Sequence, residues 1–261
     1  SSRYYVYPAI MHNLQRIFGL HAVTALLKVN AGSVKELFAD KKRQDKRMQE
    51  LLQLATQSGV RITLSQRDEL DKQAVGANHQ GIVALCDLPK AHDEAFLDAL
   101  LEAPDHALLL LVLDGVQDPH NLGACLRTAD AVGVDALIIP KDRSAAITST
   151  VVKVASGAAY TVPVVSVTNL SRTLSHLQQA GVWFAGTDGA ATQSLYELNL
   201  TGPLGVVMGA EGAGLRRLTK EKCDFLVRLP MRGSVESLNV SVAAGVCLYE
   251  VLRQRGLISP L

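Results

Sequence analysis

The feature that most constrains the fold is a series of short apolar runs in the second half of the chain, each followed by a helical pattern. Residues 108–113 are apolar throughout, and runs at 136–139, 162–167 and 204–208 have the same character. Strands without polar alternation are typical of a parallel sheet that is covered by helices on both faces. Strands that alternate with helices in this way predict an α/β fold with a mainly parallel sheet.

The first part of the chain shows shorter elements of the same two kinds. Strand patterns at 34–39, 60–64 and 81–86 alternate with helical patterns, among them an amphipathic one at 45–57. We therefore predict a small α/β domain over residues 14–87 and a larger one over residues 106–258. Residues 88–105, which begin with Leu88 and Pro89 and carry a helical pattern at 94–102, are predicted to link them.

Charge and cysteine content narrow the class of protein. The 261 residues carry a net charge of only +1, so any nucleic-acid-binding surface has to be local. The four cysteines form no C-x-x-C pair, which favours reduced thiols and no metal site. The longest apolar run, 107–113, is too short to cross a bilayer. Residues 1–13 lack a signal-peptide pattern, Met11 is a candidate start, and we expect a cytoplasmic protein without a membrane partner.

Three polar segments follow predicted strands, and the carboxyl ends of such strands are where α/β sheets bind ligands. The first, 114–127, contains an Asp118-Pro119 turn, then Asn121, predicted to cap a helix over 122–132, and Arg127. Alone, it is equally compatible with a capped helix that bears a surface arginine.

The second and third segments are also ambiguous when read singly. The sequence Gly-Ala-Glu-Gly-Ala-Gly-Leu at 209–215 is no phosphate-binding loop, because no Lys-Ser/Thr follows and Glu211 would repel phosphate. It is equally compatible with a tight turn. The segment 229–243 is an irregular loop in which either Ser237 or Asn239 is expected to cap the last helix.

Together the three segments resemble the motifs of the SpoU, or TrmH-like, branch of the SPOUT RNA methyltransferases: N-x-G-x-x-x-R, G-x-E-G-x-G and P-M followed by S-L-N-V-S. Residues 18–23 and 79–82 resemble the small L30e-like RNA-binding domain of the guanosine-2′-O-methyltransferases of bacterial large-subunit ribosomal RNA. The resemblance implies a C-terminal trefoil knot, S-adenosylmethionine as methyl donor and no metal. It also implies a homodimer through the C-terminal domain and a guanosine ribose of 23S rRNA as the methylated group.

The resemblance also implies site residues. The residues that match the family's catalytic set are Arg127, Asn121, Glu211, Ser237 and Asn239. The expected cofactor contacts are Gly209, Leu229, Leu238, Met231 and Pro230, with Thr187 and Gly189 as further wall residues. We expect Arg127 to stabilise the developing ribose alkoxide or to bind the adjacent phosphate, because a guanidinium keeps its proton and is a poor base. Glu211 is expected to orient Arg127 or to help accept the proton.

RNA binding is assigned to a basic cluster in the first domain. Its members are Lys41, Lys42, Arg43, Lys46 and Arg47, and a solvated helix start is the alternative interpretation. Weaker candidates are Arg16, Lys141, Arg143 and Lys153. His21 and His79 are expected to be structural rather than RNA contacts.

Three other functions remain open at this point. Transfer-RNA ribose methyltransferases share the same three motifs. A non-catalytic rRNA-binding assembly factor would fit a broken motif, and here every motif position is intact. A nucleotide- or NAD-binding α/β enzyme would need G-x-G-x-x-G after the first strand of the sheet, which this chain lacks.

Overall fold

A computed structural model describes residues 14–256, so the possible start at Met11 and the predicted domain end at 258 lie outside the described residues. The chain divides between Pro89 and Lys90 into two compact units. Each unit has its own sheet, and the two are described separately below.

The N-terminal unit is a four-stranded sheet with three helices. Strand β4 pairs antiparallel with β1 and β2, β3 is parallel to β2, and the order is β1-β4-β2-β3. The strands are β1 (Gln15–Phe18), β2 (Val34–Asp40), β3 (Ile62–Ser65) and β4 (Ile82–Cys86). The helices are α1 (Leu20–Asn30), α2 (Lys46–Gln57) and α3 (Arg67–Ala74).

The turn before β4 is fixed by its own side chains. The His79 ring is buried, bonds to Asp71 at 2.6 Å and accepts the Gly81 backbone N–H at 2.9 Å. Gln80 Oε1 accepts the Leu20 N–H at 2.8 Å, which satisfies one of the free donors at the start of α1. His79 is therefore structural, as expected.

The C-terminal unit has a seven-stranded sheet in which every neighbouring pair is parallel, in the order β7-β6-β5-β10-β8-β11-β9. The strands are β5 (Leu109–Asp114), β6 (Ala136–Pro140), β7 (Val164–Val167), β8 (Trp183–Thr187), β9 (Gln193–Ser194), β10 (Leu204–Gly209) and β11 (Phe225–Arg228). The helices are α4 (Glu94–Glu102), α5 (Pro119–Val132), α6 (Ser149–Ala155), α7 (Ala158–Thr161), α8 (Leu170–Gln179), α9 (Arg217–Lys222) and α10 (Val240–Gln254). The predicted α/β fold with a parallel sheet and a small N-terminal α/β domain is confirmed.

Burial on both faces explains why β5 is apolar throughout. Leu110 and Val112 pack in one core with Leu174 of α8 and Leu97 of α4. Leu111 points to the other face and is also fully buried, and there α5 packs against α6 and α10. Much of the segment that we expected to act as a linker therefore lies against the sheet of this unit.

Strand order sets where a ligand site forms. The chain adds β6 and β7 on one side of β5, whereas β10 and β8 lie on the other side. The direction of winding thus changes between β5 and β10, and such switch points are where open parallel sheets bind ligands. The loops after β5, β8, β10 and β11 all leave from this one edge of the sheet.

The start of α5 differs from the expectation. The helix begins at Pro119, and the Asp118 carboxylate accepts the N–H groups of His120 at 2.8 Å and Asn121 at 3.3 Å. The prediction that Asn121 caps a helix starting at 122 is wrong. Proline suits the first helical position because its φ is already helical, and aspartate is a strong N-cap. Asn121 therefore lies inside the first turn.

Within the part of the chain that the structure describes, no helix is both long enough and apolar enough to span a membrane.

The glycine of the first motif is required by helix packing. A Cβ at Gly123 would lie 2.7 Å from Val154 Cβ and 3.0 Å from the Val151 carbonyl oxygen, both on α6. We expect Gly123→Ala to lower the free energy of unfolding by about 1–3 kcal/mol because it overpacks this contact. Urea unfolding followed by circular dichroism measures the change. Gly202→Ala is the matched control, since a Cβ there meets no atom within 4 Å; equal stability of the two variants would contradict this account.

Candidate active site

Three loops that are distant in sequence meet at the carboxyl edge of the sheet. Asn239 Nδ2 donates to Asn121 Oδ1 at 3.1 Å and to Glu211 Oε1 at 2.8 Å. The Val240 backbone N–H also points to Glu211 Oε1, at 3.5 Å. These three side chains, Asn121, Glu211 and Asn239, are called the polar cluster below, and each comes from a different motif.

Asn239 also begins the last helix. Its Oδ1 accepts from the Ser241 N–H at 2.9 Å and from Ser241 Oγ at 2.5 Å, so Asn239 is the N-cap of α10. Its acceptor atom thus holds the helix and its donor atom holds the other two loops. Ser237 is exposed and has no hydrogen bond within the described residues.

The loop that carries Glu211 folds tightly back on itself. The Gly214 N–H donates to the Ala210 carbonyl at 2.8 Å, and a Cβ at Gly209 would lie 2.2 Å from the Gly214 carbonyl carbon. Only glycine fits at 209, because the obstacle is backbone rather than a movable side chain. This conformation places Glu211 at the tip of the loop.

One ion pair at the site was not found from the sequence. Asp114, the last residue of β5, is buried and accepts from Arg216 Nε and Nη2, both at 2.7 Å. A carboxylate at the end of a wholly apolar strand was the available signal. Its partner lies 102 residues away and is visible only once β5 and β10 are paired.

Arg127 is not part of the polar cluster. Its side chain is exposed and forms neither a hydrogen bond nor an ion pair within residues 14–256. The expected contact between Glu211 and Arg127 is absent there, and Glu211 accepts from Asn239. Six residues along a helix turn a side chain through about 240°, so Arg127 and Asn121 lie on different sides of α5.

The residues expected to contact a cofactor lie around the same edge. Gly209 ends β10, Thr187 ends β8 and Leu229 directly follows β11. Pro230, Met231 and Leu238 belong to an exposed loop, in which the apolar side chains of Met231 and Leu238 are 37% and 39% exposed. Gly189 has open space where a Cβ would lie.

The loop after β8 is held by an ion pair. Lys220 Nζ lies 2.7 Å from Asp188 Oδ2, and this hydrogen bond, with one from the Ala190 N–H, lowers the pKa of Asp188. Asp188 is therefore ionised at neutral pH and fixes the loop that carries Gly189 to α9.

The thiols of Cys86, Cys125 and Cys247 are buried and that of Cys223 is half-buried. Burial raises the pKa values of Cys86, Cys125, Cys223 and Cys247 to about 12, so each is a neutral thiol at physiological pH. Among the described residues, no group of three or more His, Cys, Asp or Glu side chains is arranged to hold a metal ion.

The predicted RNA-binding cluster lies after β2 and at the start of α2 of the N-terminal unit. Arg43 is already bound, with Nε on Asp45 at 2.7 Å and Nη1 on the Gln80 carbonyl at 2.6 Å. The hydrogen bond with Asp45 raises the pKa of Arg43. Lys46 lies 3.9 Å from Glu50. Lys41, Lys42 and Arg47 are exposed and form no ion pair within the described residues, as is also true of Arg16, Lys141, Arg143 and Lys153.

Fold and site together define an α/β protein whose candidate ligand site lies at the switch point of a parallel sheet. The chain belongs to the SpoU rRNA methylase family, whose sequence profile matches residues 108–249. A second profile, RNA 2′-O ribose methyltransferase substrate binding, matches residues 16–91.

Individual relatives are similar over nearly the whole chain. The 23S rRNA (guanosine-2′-O-)-methyltransferase RlmB of Pseudomonas aeruginosa is 57% identical over 247 residues, which cover 94% of this chain and 98% of that protein. The Vibrio cholerae protein of the same name is 56% identical over 239 residues, 92% of this chain and 96% of that one. Among solved structures, the SpoU methyltransferase AviRb from Streptomyces viridochromogenes, in complex with the cofactor AdoMet, has a TM-score of 0.70 at 25% identity, covering 94% and 92% of the two chains.

Because Asn239 both caps α10 and binds Glu211, we predict that the stability of the variant Asn239→Asp depends on pH. Asn239→Asp keeps the acceptor that caps α10 but places a second carboxyl against Glu211. Like charges at this distance raise a carboxyl pKa. The carboxyl introduced at position 239 therefore has a higher pKa in the folded protein than its value of about 3.9 in the unfolded chain. While this carboxyl is neutral it does not repel Glu211, and the stability of the variant is lost as the pH rises through the pKa of the folded state. We therefore expect the free energy of unfolding, relative to the original chain, to fall between pH 4 and pH 8.

Asn169→Asp is the matched control for this measurement. Asn169 caps α8 by accepting the Arg172 N–H at 3.0 Å, so this substitution also keeps a cap acceptor. Among the described residues, no carboxylate forms a hydrogen bond with Asn169. Urea titrations at the two pH values should show the loss for position 239 alone; the same pH dependence at both positions would refute the contact with Glu211.

Proposed function

We propose that this chain transfers a methyl group from S-adenosylmethionine to the ribose 2′-hydroxyl of a guanosine in 23S rRNA. The observation that carries the proposal is the polar cluster, in which one residue from each of the three motifs meets the others at the switch point of the sheet. The names of the relatives that are more than half identical to this chain support the substrate. We assign RNA binding to the N-terminal unit and methyl transfer to the second unit.

The chemistry of the edge suits an adenosyl sulfonium. Leu229, Met231 and Leu238 offer apolar surface, and the backbone of residues 229–238 forms no hydrogen bond with another backbone group of the described residues. An adenine ring needs such an apolar surface with a few available backbone groups. The Glu211 carboxylate suits a cationic ligand better than a phosphate. Arg216 lies at the base of the loop that carries Glu211, and its charge is already neutralised by Asp114. S-adenosylmethionine, when bound, supplies an electrophilic methyl group.

The remaining side chains of the site have separate roles in this proposal. A ribose hydroxyl is a weak nucleophile at neutral pH, so its developing negative charge has to be stabilised. Arg127 is charged and uncommitted, and in this proposal its planar fork binds the alkoxide or the neighbouring phosphate. The polar cluster holds the three loops at fixed separations, and Ser237, exposed beside Asn239, positions the ribose. Glu211 is occupied as an acceptor, which favours a positioning role for it.

In this proposal the functional protein is a dimer of two copies of the chain. Helices α5 and α10 pack on each other near Thr128 and Gly245. On α10, Val242 and Tyr249 are seven residues apart, about two turns, so they lie on the same face of the helix. They are 53% and 49% exposed. Apolar side chains grouped on one helix face favour a protein partner. We propose a homodimer through this surface. We also propose a C-terminal trefoil knot, on the basis of the family to which the chain belongs, and a cytoplasmic location beside the ribosomal substrate.

The main test is methyl transfer to unmodified 23S rRNA, with the product mapped by mass spectrometry of ribose-methylated nucleosides. We expect a single methylated guanosine. Transfer to tRNA alone would support the tRNA alternative, and no transfer to either RNA would support a non-catalytic assembly factor.

The role of Arg127 gives a sharper form of this test. Arg127→Lys keeps the positive charge but removes the planar fork, and we expect kcat to fall roughly 100-fold, the usual loss when one donor to a developing oxyanion is removed. Arg172→Lys is the matched control, because Arg172 is also exposed and its side chain has no partner within the described residues. Activity of Arg127→Lys near that of the original chain would show that the fork is dispensable.

RNA binding by the N-terminal unit is tested by charge reversal. Lys41 and Lys42 follow the end of β2, are exposed and have no ion pair among the described residues. We expect Lys41→Glu/Lys42→Glu to weaken rRNA binding about tenfold or more and to reduce the slope of log K against log salt by about 1.4, or about 0.7 for each phosphate contact. Filter binding at several salt concentrations gives both quantities.

A control places the same charge change at the other end of the sheet. Lys28 lies in the last turn of α1, and Lys35 lies at the start of β2, where its Nζ is 3.1 Å from Asp87 Oδ2 in an exposed ion pair that contributes little to stability. Lys28→Glu/Lys35→Glu should leave the salt slope unchanged. If both double variants change the slope equally, binding follows overall charge and not the cluster.

A further inference from the structure

The carboxylate of Asp114 is fully buried, and its partner comes from another loop. Arg216 donates to Oδ1 through both Nε and Nη2 at 2.7 Å, and the Arg216 backbone N–H points to Oδ2 at 3.3 Å. The Asp114 side chain is 0% exposed and that of Arg216 is 32% exposed. A buried carboxylate is strongly unfavourable without such partners, so the two residues have to stay together in the folded protein.

The pair closes the loop that carries Glu211. Strand β10 ends at Gly209, which is in register with Asp114 on β5, and the loop returns to the same Asp114 through Arg216. Both ends of the loop are therefore attached to one residue. Between them, the bond from Gly214 to Ala210 keeps the loop compact.

Asp114 is also the point from which the first motif leaves the sheet. The chain runs from Asp114 through Asp118, which caps α5, to Asn121 in the first turn of that helix. Glu211 and Asn121 are thus each carried by a short segment that starts at the same buried carboxylate, and both accept from Asn239 Nδ2. Their separation depends on how firmly the two segments are joined at Asp114.

We propose that Arg216, acting through Asp114, is a positioning residue for methyl transfer: it fixes Glu211 at the distance from Asn121 that allows Asn239 to bind both. This inference rests on the proposed function. Arg216 forms no hydrogen bond with any member of the polar cluster, so its effect passes through the loop and not through the substrate. The guanidinium fork is needed because a single ammonium cannot hold the planar geometry that two nitrogens set.

The next residue provides a matched control. Arg217 has the same side chain, but that side chain is 77% exposed and pairs only with Glu221, one turn along α9, at 2.9 Å. Arg216→Gln should lower kcat roughly 10- to 100-fold, as expected when reacting groups are misplaced by about 1 Å, with KM for rRNA within about threefold. Arg217→Gln should stay within about twofold of the original kcat, and Arg216→Lys should recover part of the loss.

A double-mutant cycle separates positioning from general destabilisation. In a Glu211→Gln background, Arg216→Gln should cost less than about threefold in kcat, because the residue through which it acts is already altered. Equal costs in the two backgrounds would overturn the proposal.

A double variant avoids the loss of stability that a buried, unpaired carboxylate would cause. Arg216→Gln leaves a buried, unpaired carboxylate, whereas Asp114→Asn/Arg216→Gln has no buried charge. The double variant should recover much of the unfolding temperature and still show the low kcat. A double variant with the original kcat would mean that the pair contributes stability alone.

Hydrogen–deuterium exchange distinguishes failure of this inference from failure of the proposed function. Amides at 210–215 should exchange faster in Arg216→Gln than in Arg217→Gln, whether or not methyl transfer is detected. Absence of transfer by the original chain would remove the proposed function, while faster exchange would still establish the attachment of the loop. Unchanged exchange or unchanged kcat in Arg216→Gln would overturn the inference.

Discussion

A single side-chain amide connects the three motif segments at the carboxyl edge of the sheet. Asn239 Nδ2 has two protons, and each is directed to an acceptor from a different loop, Asn121 at 3.1 Å and Glu211 at 2.8 Å. These residues are 118 and 28 positions away from Asn239 in the chain. Only a sheet whose strands all point the same way brings the loops to one edge, so the parallel topology and the polar cluster depend on each other.

Much of this architecture was predictable because it rests on burial. A strand that is covered on both faces, such as β5, leaves an unbroken apolar run, and the helices between such strands leave a helical pattern. The strand β9 and the helix α7, with two and four residues, are too short to leave any periodic pattern. The start of α5 was misjudged because Asn121 and Asp118 are both good caps, and the proline after Asp118 decides between them.

The site was harder to predict than the fold, for geometric reasons. Resemblance of motifs indicated which residues belong together, but not which of them touch. The contact expected between Glu211 and Arg127 is absent among the described residues because Arg127 lies on a different side of α5 from Asn121. The contact between Asp114 and Arg216 requires the pairing of β5 with β10. The motif glycines illustrate the same limit, since Gly123 is required by packing of α5 on α6 and Gly209 by the return of its own loop. A motif therefore records packing and chemistry together, and only the structure separates them.

The separation of Arg127 from the polar cluster is itself informative. Groups that set distances between loops have to be committed to one another, as Asn121, Glu211 and Asn239 are. A cation that stabilises charge developing in a reaction has to keep donors available for that charge. Arg216 is paired at the base of a loop, whereas Arg127 is exposed on a helix surface and has no partner among residues 14–256. The two arginines thus have opposite environments, which agrees with the different roles proposed for them.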